Sequence, residues 1–270
     1  TVVYFGCPGE EGGSGKAFMA REGVFDKLDC AISWHPGDAN IVTVQSSLAN
    51  YQIMYRFYGV SAHAAGAPHL GRSALDAVEL LNIGVQFLRE HVTPEARMHY
   101  AITNTGGFSP NVVQPYAEVL YLLRAPKTPE VAEIYERVND IAKGAALMTG
   151  TRVEIEFIKA CSNIVPNNVL EEKLYQSLKS VALPEITAQE YEMAKAYYDT
   201  VEKKSGTLHH ALKVARGEEK KQLAEHLNDA YYNFVMPYKP MDLVMPGSTD
   251  VGDVSWVAPT GQISTAVWAA

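Results

Sequence analysis

Cysteine is scarce in this chain. Its 270 residues include only Cys7, Cys30 and Cys161, with no Cys-x-x-Cys pair among them. An odd, unpatterned set excludes a disulfide framework as the organising device and points to a reducing, cytosolic setting. No apolar run approaches the roughly 20 residues that span a bilayer, and no signal-peptide pattern is visible, so no membrane partner is expected. Positive charge is not in excess either. With 23 Lys and Arg against 31 Asp and Glu, the formal net charge is −8, which argues against nucleic acid and anionic membrane surfaces as partners. Internal repeats and low-complexity tracts are absent. So is a phosphate-cradling loop: Gly12-Gly13-Ser14-Gly15-Lys16-Ala17 contains a Gly-Lys pair, but Glu10 stands where that motif needs its first Gly and Ala17 where it needs Ser or Thr.

What remains is the composition of an ordinary globular protein, 47% hydrophobic and 20% charged, long enough for one large or two ordinary domains. The chain opens at Thr1 rather than at a Met, and reads as a fragment or a processed chain.

The most informative stretch is Gly6-Cys7-Pro8-Gly9-Glu10-Glu11-Gly12-Gly13, directly after the apolar run Thr1–Phe5. Thr1–Phe5 is expected to be a buried strand that empties into a glycine-rich loop. In open α/β sheets, ligands gather outside the carboxyl ends of the strands. Adjacent carboxylates raise each other's pKa unless a cation offsets them. A bound metal is the natural cation, with one Glu as ligand and the other as base toward water. Ser14–Glu22 reads as a short helix closed by Gly23, and Cys30–Trp34 as a second buried strand. This strand–helix–strand unit implies parallel strands, and places His35 at the same sheet edge as Glu10 and Glu11.

From about Leu48 the pattern changes. Strands are expected at Tyr51–Tyr58, Met98–Asn104, Ala117–Arg124 and Thr151–Ile158. Helices are expected at Ser73–Glu90, with Ser73 and Asp76 at capping-box spacing, and at Pro129–Met148, with Thr128 as N-cap and Pro129 at the first position. The order β-α-β-β-α-β is that of a ferredoxin-like unit. The fold class is therefore α/β: a partial catalytic domain at 1–47 and 161–270, interrupted by a separate domain at 48–160. Further on, Asn168 is placed to cap a helix, Thr187 and Glu190 form another capping-box pattern, and residues 188–230 read as a charged helical surface insertion. Gly247–Asp253 reads as a polar loop, and Gln262–Trp268 as a strand rejoining the first sheet.

Pro8-Gly9-Glu10-Glu11-Gly12, Trp34-His35-Pro36 and Gly59-Val60-Ser61-Ala62-His63-Ala64-Ala65, together with the Asp-rich loop near 250, resemble the zinc-type aminoacylase/carboxypeptidase amidohydrolases. Ser73–Val78, Ser109–Val113 and Ser248–Trp256 extend the resemblance over most of the chain outside 185–240. The resemblance implies a two-domain enzyme whose inserted lid, here 48–160, dimerises. Its implied chemistry is hydrolysis of the amide of an N-acyl or N-aroyl amino acid, an aminobenzoyl-glutamate being favoured, with one or two divalent metals, zinc or manganese. By position, Glu10 matches the general base, and Glu11 and His35 match metal ligands. His63 resembles a lid histidine that reaches the partner subunit's site, and Asn111 and Arg124 resemble lid residues that hold the substrate. A homodimer through the lid is implied, with a second kind of subunit as a further option. Relatives supply more metal ligands upstream and downstream of the matched motifs, so this chain alone is expected to bind metal weakly or not at all.

Each residue also has a plainer reading. Glu10 and Glu11 make an acceptable solvated loop pair, His35 a hydrogen-bonded core histidine, His63 the start of a loop and Asn111 a turn beside Pro110. Arg124 is equally suited to a surface ion pair or to a bidentate carboxylate clamp. Asp250 and Asp253 read as turn-formers, Cys7 as a small buried residue, and His69, His91, His99, His209, His210 and His226 as structural. The rival to a hydrolase is a non-catalytic assembly subunit or binding module that keeps the same fold.

Overall fold

The computed structural model describes residues 1–202 and 206–270; the part of the expected helical insertion at 203–205 lies outside them. Along the chain come α1 (Glu10–Gly13), α2 (Gly15–Arg21), β1 (Ala31–Gly37), β2 (Ile41–Thr43), β3 (Ser46–Ser47), β4 (Ala49–Tyr58) and α3 (Ala74–Leu88). They are followed by β5 (Arg97–Asn104), β6 (Tyr116–Ala125), α4 (Thr128–Thr149), β7 (Arg152–Cys161), α5 (Asn168–Ser180), α6 (Ala188–Tyr198), α7 (Thr207–Val214), α8 (Gly217–Ala224), β8 (Val244–Met245), α9 (Val251–Ser255) and β9 (Thr260–Ala266). Two compact units result: residues 1–24, 46–164 and 244–253 form the first, and residues 25–45, 165–243 and 254–270 the second.

The first unit is built on an antiparallel sheet of order β5-β6-β4-β7. Alternation along β6, and along β4 from Ile53 onward, turns Ile53, Tyr55, Phe57, Val119, Tyr121 and Leu123 to one face, where α3 and α4 cover them. Helix α3 starts where Ser73 Oγ accepts from the Asp76 N–H at 3.1 Å. It buries Ala77, Val78, Leu81 and Val85. Burying two tyrosines in this layer requires partners for their hydroxyls. Tyr55 donates to Asn139 of α4 at 2.8 Å, and Tyr121 to Asn82 of α3 at 2.6 Å.

The second unit holds a three-stranded sheet of order β1-β9-β2, with β1 parallel and β2 antiparallel to the central β9. Asn40 fastens it: its amide N–H groups donate to the carbonyls of Tyr232 and Phe234, and its oxygen accepts from the Ala266 N–H. Asp38 caps α7 from a distance, accepting from the backbone N–H and hydroxyl of Thr207. Leu208, Leu223, Tyr232 and Met236 form a small core beside Ala39. The capping box at Thr187 and Glu190 is formed in full. Among the described residues, no helix is long and apolar enough to cross a membrane.

Several expectations are corrected. Thr1–Phe5 is not a strand: Val2 is 98% exposed and Tyr4 95%. An apolar run becomes a strand only where a neighbouring backbone completes its hydrogen bonds, and none of the described strands pairs with this one. The expected parallel strand–helix–strand unit is therefore not formed, and β1 instead takes β9 as its parallel neighbour. Strand β1 is an edge strand with Ile32 and Trp34 exposed rather than a buried one, and His35 lies within it, opposite Ser264. Thr128 is the first residue of α4 rather than its cap, and Asn167, not Asn168, caps α5 through Leu170 N–H. The polar segment 247–253 runs into α9, and Asp250 is fully buried.

Candidate functional site

The face of the four-stranded sheet opposite α3 and α4 carries polar side chains, and strand register decides which of them meet. Asn50 pairs with Arg124 on one side and Cys161 on the other; one row along, Gln52 pairs with Leu122 and Lys159, and His99 with Leu122. These residues, with Leu120, Ala101 and Ser248, line a cleft of about 410 Å³.

Glu10 and Glu11 belong to the same cleft lining. They sit on a four-residue helical turn, shaped by Gly9 at φ +74° and Ser14 at φ +52°. The left-handed Ser14 is held by its hydroxyl, 3.1 Å from the Cys161 thiol at the end of β7. Gly15 is required here, because a Cβ would lie 1.9 Å from the Pro8 carbonyl oxygen. Lys159 Nζ donates to the Glu11 carbonyl at 3.3 Å. Glu10 is half-buried and Glu11 exposed.

Two cations and one amide in this cleft lack the partners expected of them. Arg124 donates to Ser248 Oγ at 2.9 Å, and among the described residues neither Arg124 nor Lys159 forms a salt bridge. Asn50 is 5% exposed, and its Oδ1 has no hydrogen-bond partner. His99 has its pKa lowered, first by burial and then by the guanidinium groups of Arg124, Arg89 and Arg97.

Two other expected site residues sit together elsewhere in the first unit. His63 bridges Val112, and the Ala64 N–H donates to the Asn111 carbonyl at 2.9 Å. Both His63 and Asn111 are exposed, and neither lines the cleft. The His63 Nδ1 accepts from the N–H groups of Gly66 at 3.0 Å and Ala65 at 3.3 Å. With Nδ1 accepting, the ring's N–H is on Nε2. In the second unit, exposed His35 has Nδ1 2.6 Å from the Pro36 carbonyl oxygen. A carbonyl oxygen only accepts, so Nδ1 is the donor in this contact.

The aspartates near 250 are structural in a stronger sense than turn formation. Asp250 is bound by Lys16, and Asp253 accepts from the hydroxyl of Ser162 at 2.8 Å and from its backbone N–H. Burial raises the Asp253 pKa, while the Ser162 hydrogen bonds oppose that shift. Cys7 is half-exposed rather than buried. Among the described residues, no three His, Cys, Asp or Glu side chains form a group that could hold a metal ion. The adjacent acids singled out Glu10 and Glu11, and the family resemblance Arg124, while Asn50, Gln52, Lys159 and Ser248 were missed as site residues. The alternation of residues 50 and 52 along a strand whose odd positions are apolar was the available signal for the first two.

Residues 44–149 match the model of the peptidase dimerisation domain. The chain is 51% identical, over 97% of its own length and 55% of the relative's, to a p-aminobenzoyl-glutamate hydrolase subunit of Escherichia coli (strain K12). It is 35% identical to the Xaa-Arg dipeptidase of Mus musculus, over 63% of this chain and 39% of that one. An aminobenzoyl-glutamate utilization protein from Klebsiella pneumoniae shares the fold, with a TM-score of 0.53 and 24% identity over 63% of this chain and 44% of that chain. The chain spans about half the length, or less, of the curated relatives it matches. Over nearly all its residues, then, it is similar to part of a p-aminobenzoyl-glutamate hydrolase subunit, and at 44–149 it matches the peptidase dimerisation domain.

Proposed function

We propose that this chain is part of a metal-dependent amidohydrolase that cleaves the amide of an N-acyl or N-aroyl amino acid, p-aminobenzoyl-glutamate being the substrate named by the 51% identical relative. The observation that carries this reading is one cleft lined by a carboxylate pair, Glu10 and Glu11, and by an Arg124 guanidinium without a carboxylate partner. Substrate and reacting groups then share one hollow. The Xaa-Arg dipeptidase relative, also named for cleaving an amide, supports the same reaction class.

The donor chemistry fits a divalent cation, zinc or manganese, as one or two ions. Glu11 and His35 are the proposed ligands, a carboxylate and an imidazole being donor types that such a cation takes. Such a cation would supply Lewis acidity toward the scissile carbonyl and toward water. Glu10 takes the proton of the attacking water on its carboxylate and passes it to the leaving amine nitrogen. Arg124 clamps the substrate carboxylate with its planar fork. His63 donates its Nε2 proton as a hydrogen bond to the oxyanion, and Asn111, fastened to the same loop, assists in holding the substrate. Neither residue lines the cleft of its own chain, which supports delivery from a second copy. The peptidase dimerisation domain match supports pairing through a ferredoxin-like lid, either as a homodimer or with a related subunit.

In the intact enzyme, Glu10→Gln is expected to abolish hydrolysis of p-aminobenzoyl-glutamate while metal content, measured by elemental analysis, is retained. Near wild-type turnover in that variant would overturn the base assignment. A second reading, a binding or assembly subunit with the same fold, is favoured by the absence of a three-donor group among the described residues. A metal-loaded intact protein that binds the acyl amino acid without hydrolysing it would establish that alternative.

A further inference from the structure

Among the described residues, the polar face of the four-stranded sheet holds one buried acceptor without a donor and two cations without a carboxylate partner. Asn50 is 5% exposed, and its Oδ1 accepts no hydrogen bond among the described residues. A buried acceptor without a donor costs about 1–3 kcal/mol, so most such groups in folded proteins are paired. Next to it in register is Arg124, whose hydrogen bond goes to the neutral Ser248 hydroxyl. On the other side of β4, opposite Gln52, is Lys159, whose ammonium donates to the Glu11 backbone carbonyl and forms no salt bridge among the described residues. All three line one cleft. Strands β6 and β7 flank β4, which sets the backbones carrying the two cations about 10 Å apart. Their long side chains therefore approach the cleft from opposite sides of Asn50.

The chemistry of the missing partners defines the ligand. An orphaned oxygen acceptor asks for an N–H. An unpaired guanidinium beside it asks for a carboxylate within a few bonds of that N–H. A second, separate ammonium asks for a second anionic group. The arginine and the lysine of the cleft lining are Arg124 and Lys159.

We propose that Asn50, Arg124 and Lys159 together form a selectivity device for N-acylated dicarboxylic amino acids. Asn50 Oδ1 accepts from the ligand's amide N–H, Arg124 takes the α-carboxylate and Lys159 takes the side-chain carboxylate. The assignment rests on the hydrolase reading above and adds Asn50 and Lys159 to it as specificity residues. It also explains why a buried amide is left unsatisfied, since the ligand completes it.

Calorimetric titration of the protein with p-aminobenzoyl-glutamate and with p-aminobenzoyl-glycine, which lacks the second carboxylate, tests the assignment. A hydrogen bond to a charged group contributes roughly 10- to 100-fold in affinity. Lys159→Met is expected to weaken binding of the glutamate compound by about that factor and leave the glycine compound unchanged. Asn50→Ala is expected to weaken both compounds while the melting temperature holds or rises, because a purely structural amide would lower it. Equal losses for both compounds in Lys159→Met, or an unchanged affinity in either variant, would overturn the proposal while leaving the hydrolase reading intact. Wild-type protein that binds neither compound would overturn both.

Discussion

Lys16 grips the buried carboxylate of Asp250 twice. Its ammonium donates to Oδ1 and its backbone N–H to Oδ2, each at 2.9 Å. The contact ties the start of α2, just after the Glu10-Glu11 turn, to the segment that carries Ser248. With Asp250 fully buried, Lys16→Met would strand a charge in a low-dielectric site, and breaking such a pair from one side costs roughly 3–5 kcal/mol. Urea unfolding is expected to show a loss of that size. Replacing both residues with apolar ones is expected to recover much of it, because no uncompensated charge then remains.

Two glycines are expected to respond in opposite directions to substitution by alanine. A Cβ at Gly252 would lie 2.0 Å from the Ser162 carbonyl oxygen, so Gly252→Ala must displace backbone and should cost about 1–3 kcal/mol. Gly144 lies inside α4 with nothing within 4 Å of the added atom. Gly144→Ala should therefore gain up to about 1 kcal/mol from helix propensity. Denaturant midpoints of the two variants should move in opposite directions.

Glu171 gives the second unit a signed pH dependence. It is buried, and desolvation raises its pKa, against the lowering effect of hydrogen bonds from the Asn167 N–H and the Tyr238 hydroxyl. An acid whose folded pKa lies above its unfolded value binds protons more tightly when folded. Its contribution is therefore favourable at low pH, and is lost as pH rises from the ordinary carboxylate value of 4.5 through the raised folded one. Glu171→Gln should flatten that decline when stability is measured between pH 4 and pH 7. A variant whose slope matches the wild type would show that Glu171 is not its source.

His63 presents an Nε2 proton because two backbone N–H groups occupy Nδ1. If that proton stabilises an oxyanion, His63→Ala in the intact enzyme should lower kcat by about a hundredfold or more, with a smaller change in KM. His63→Gln, which retains a side-chain N–H, should recover part of the loss. An unchanged kcat in His63→Ala would remove this residue from the mechanism.

Local signals were legible in the sequence wherever the residues that read them are neighbours in the chain. Ser73 caps α3 and Thr187–Glu190 closes a capping box because each bond spans only a few residues. The alternation in β6 marked a strand with one buried face. Thr1–Phe5 misled because an apolar β-branched run describes a side-chain pattern, whereas a strand also needs a partner backbone. At the cleft, Glu10, Glu11 and Arg124 stood out by residue type and motif. Lys159 did not, because its place opposite Gln52 depends on cross-strand register and on an irregularity between Gln52 and Ile53.

By itself, then, the sequence determined the longer helices and most of the strands, since propensity, capping and alternation act over a few residues. Tertiary structure alone decided that Asn50 would lie buried between Arg124 and Cys161, that Asp250 would meet Lys16 rather than solvent, and that β1 would take β9 as its neighbour. These pairings join residues far apart in the chain. Each is selected by which backbone completes which hydrogen bonds and which charge is left to be neutralised, neither of which is written in any short stretch of residues.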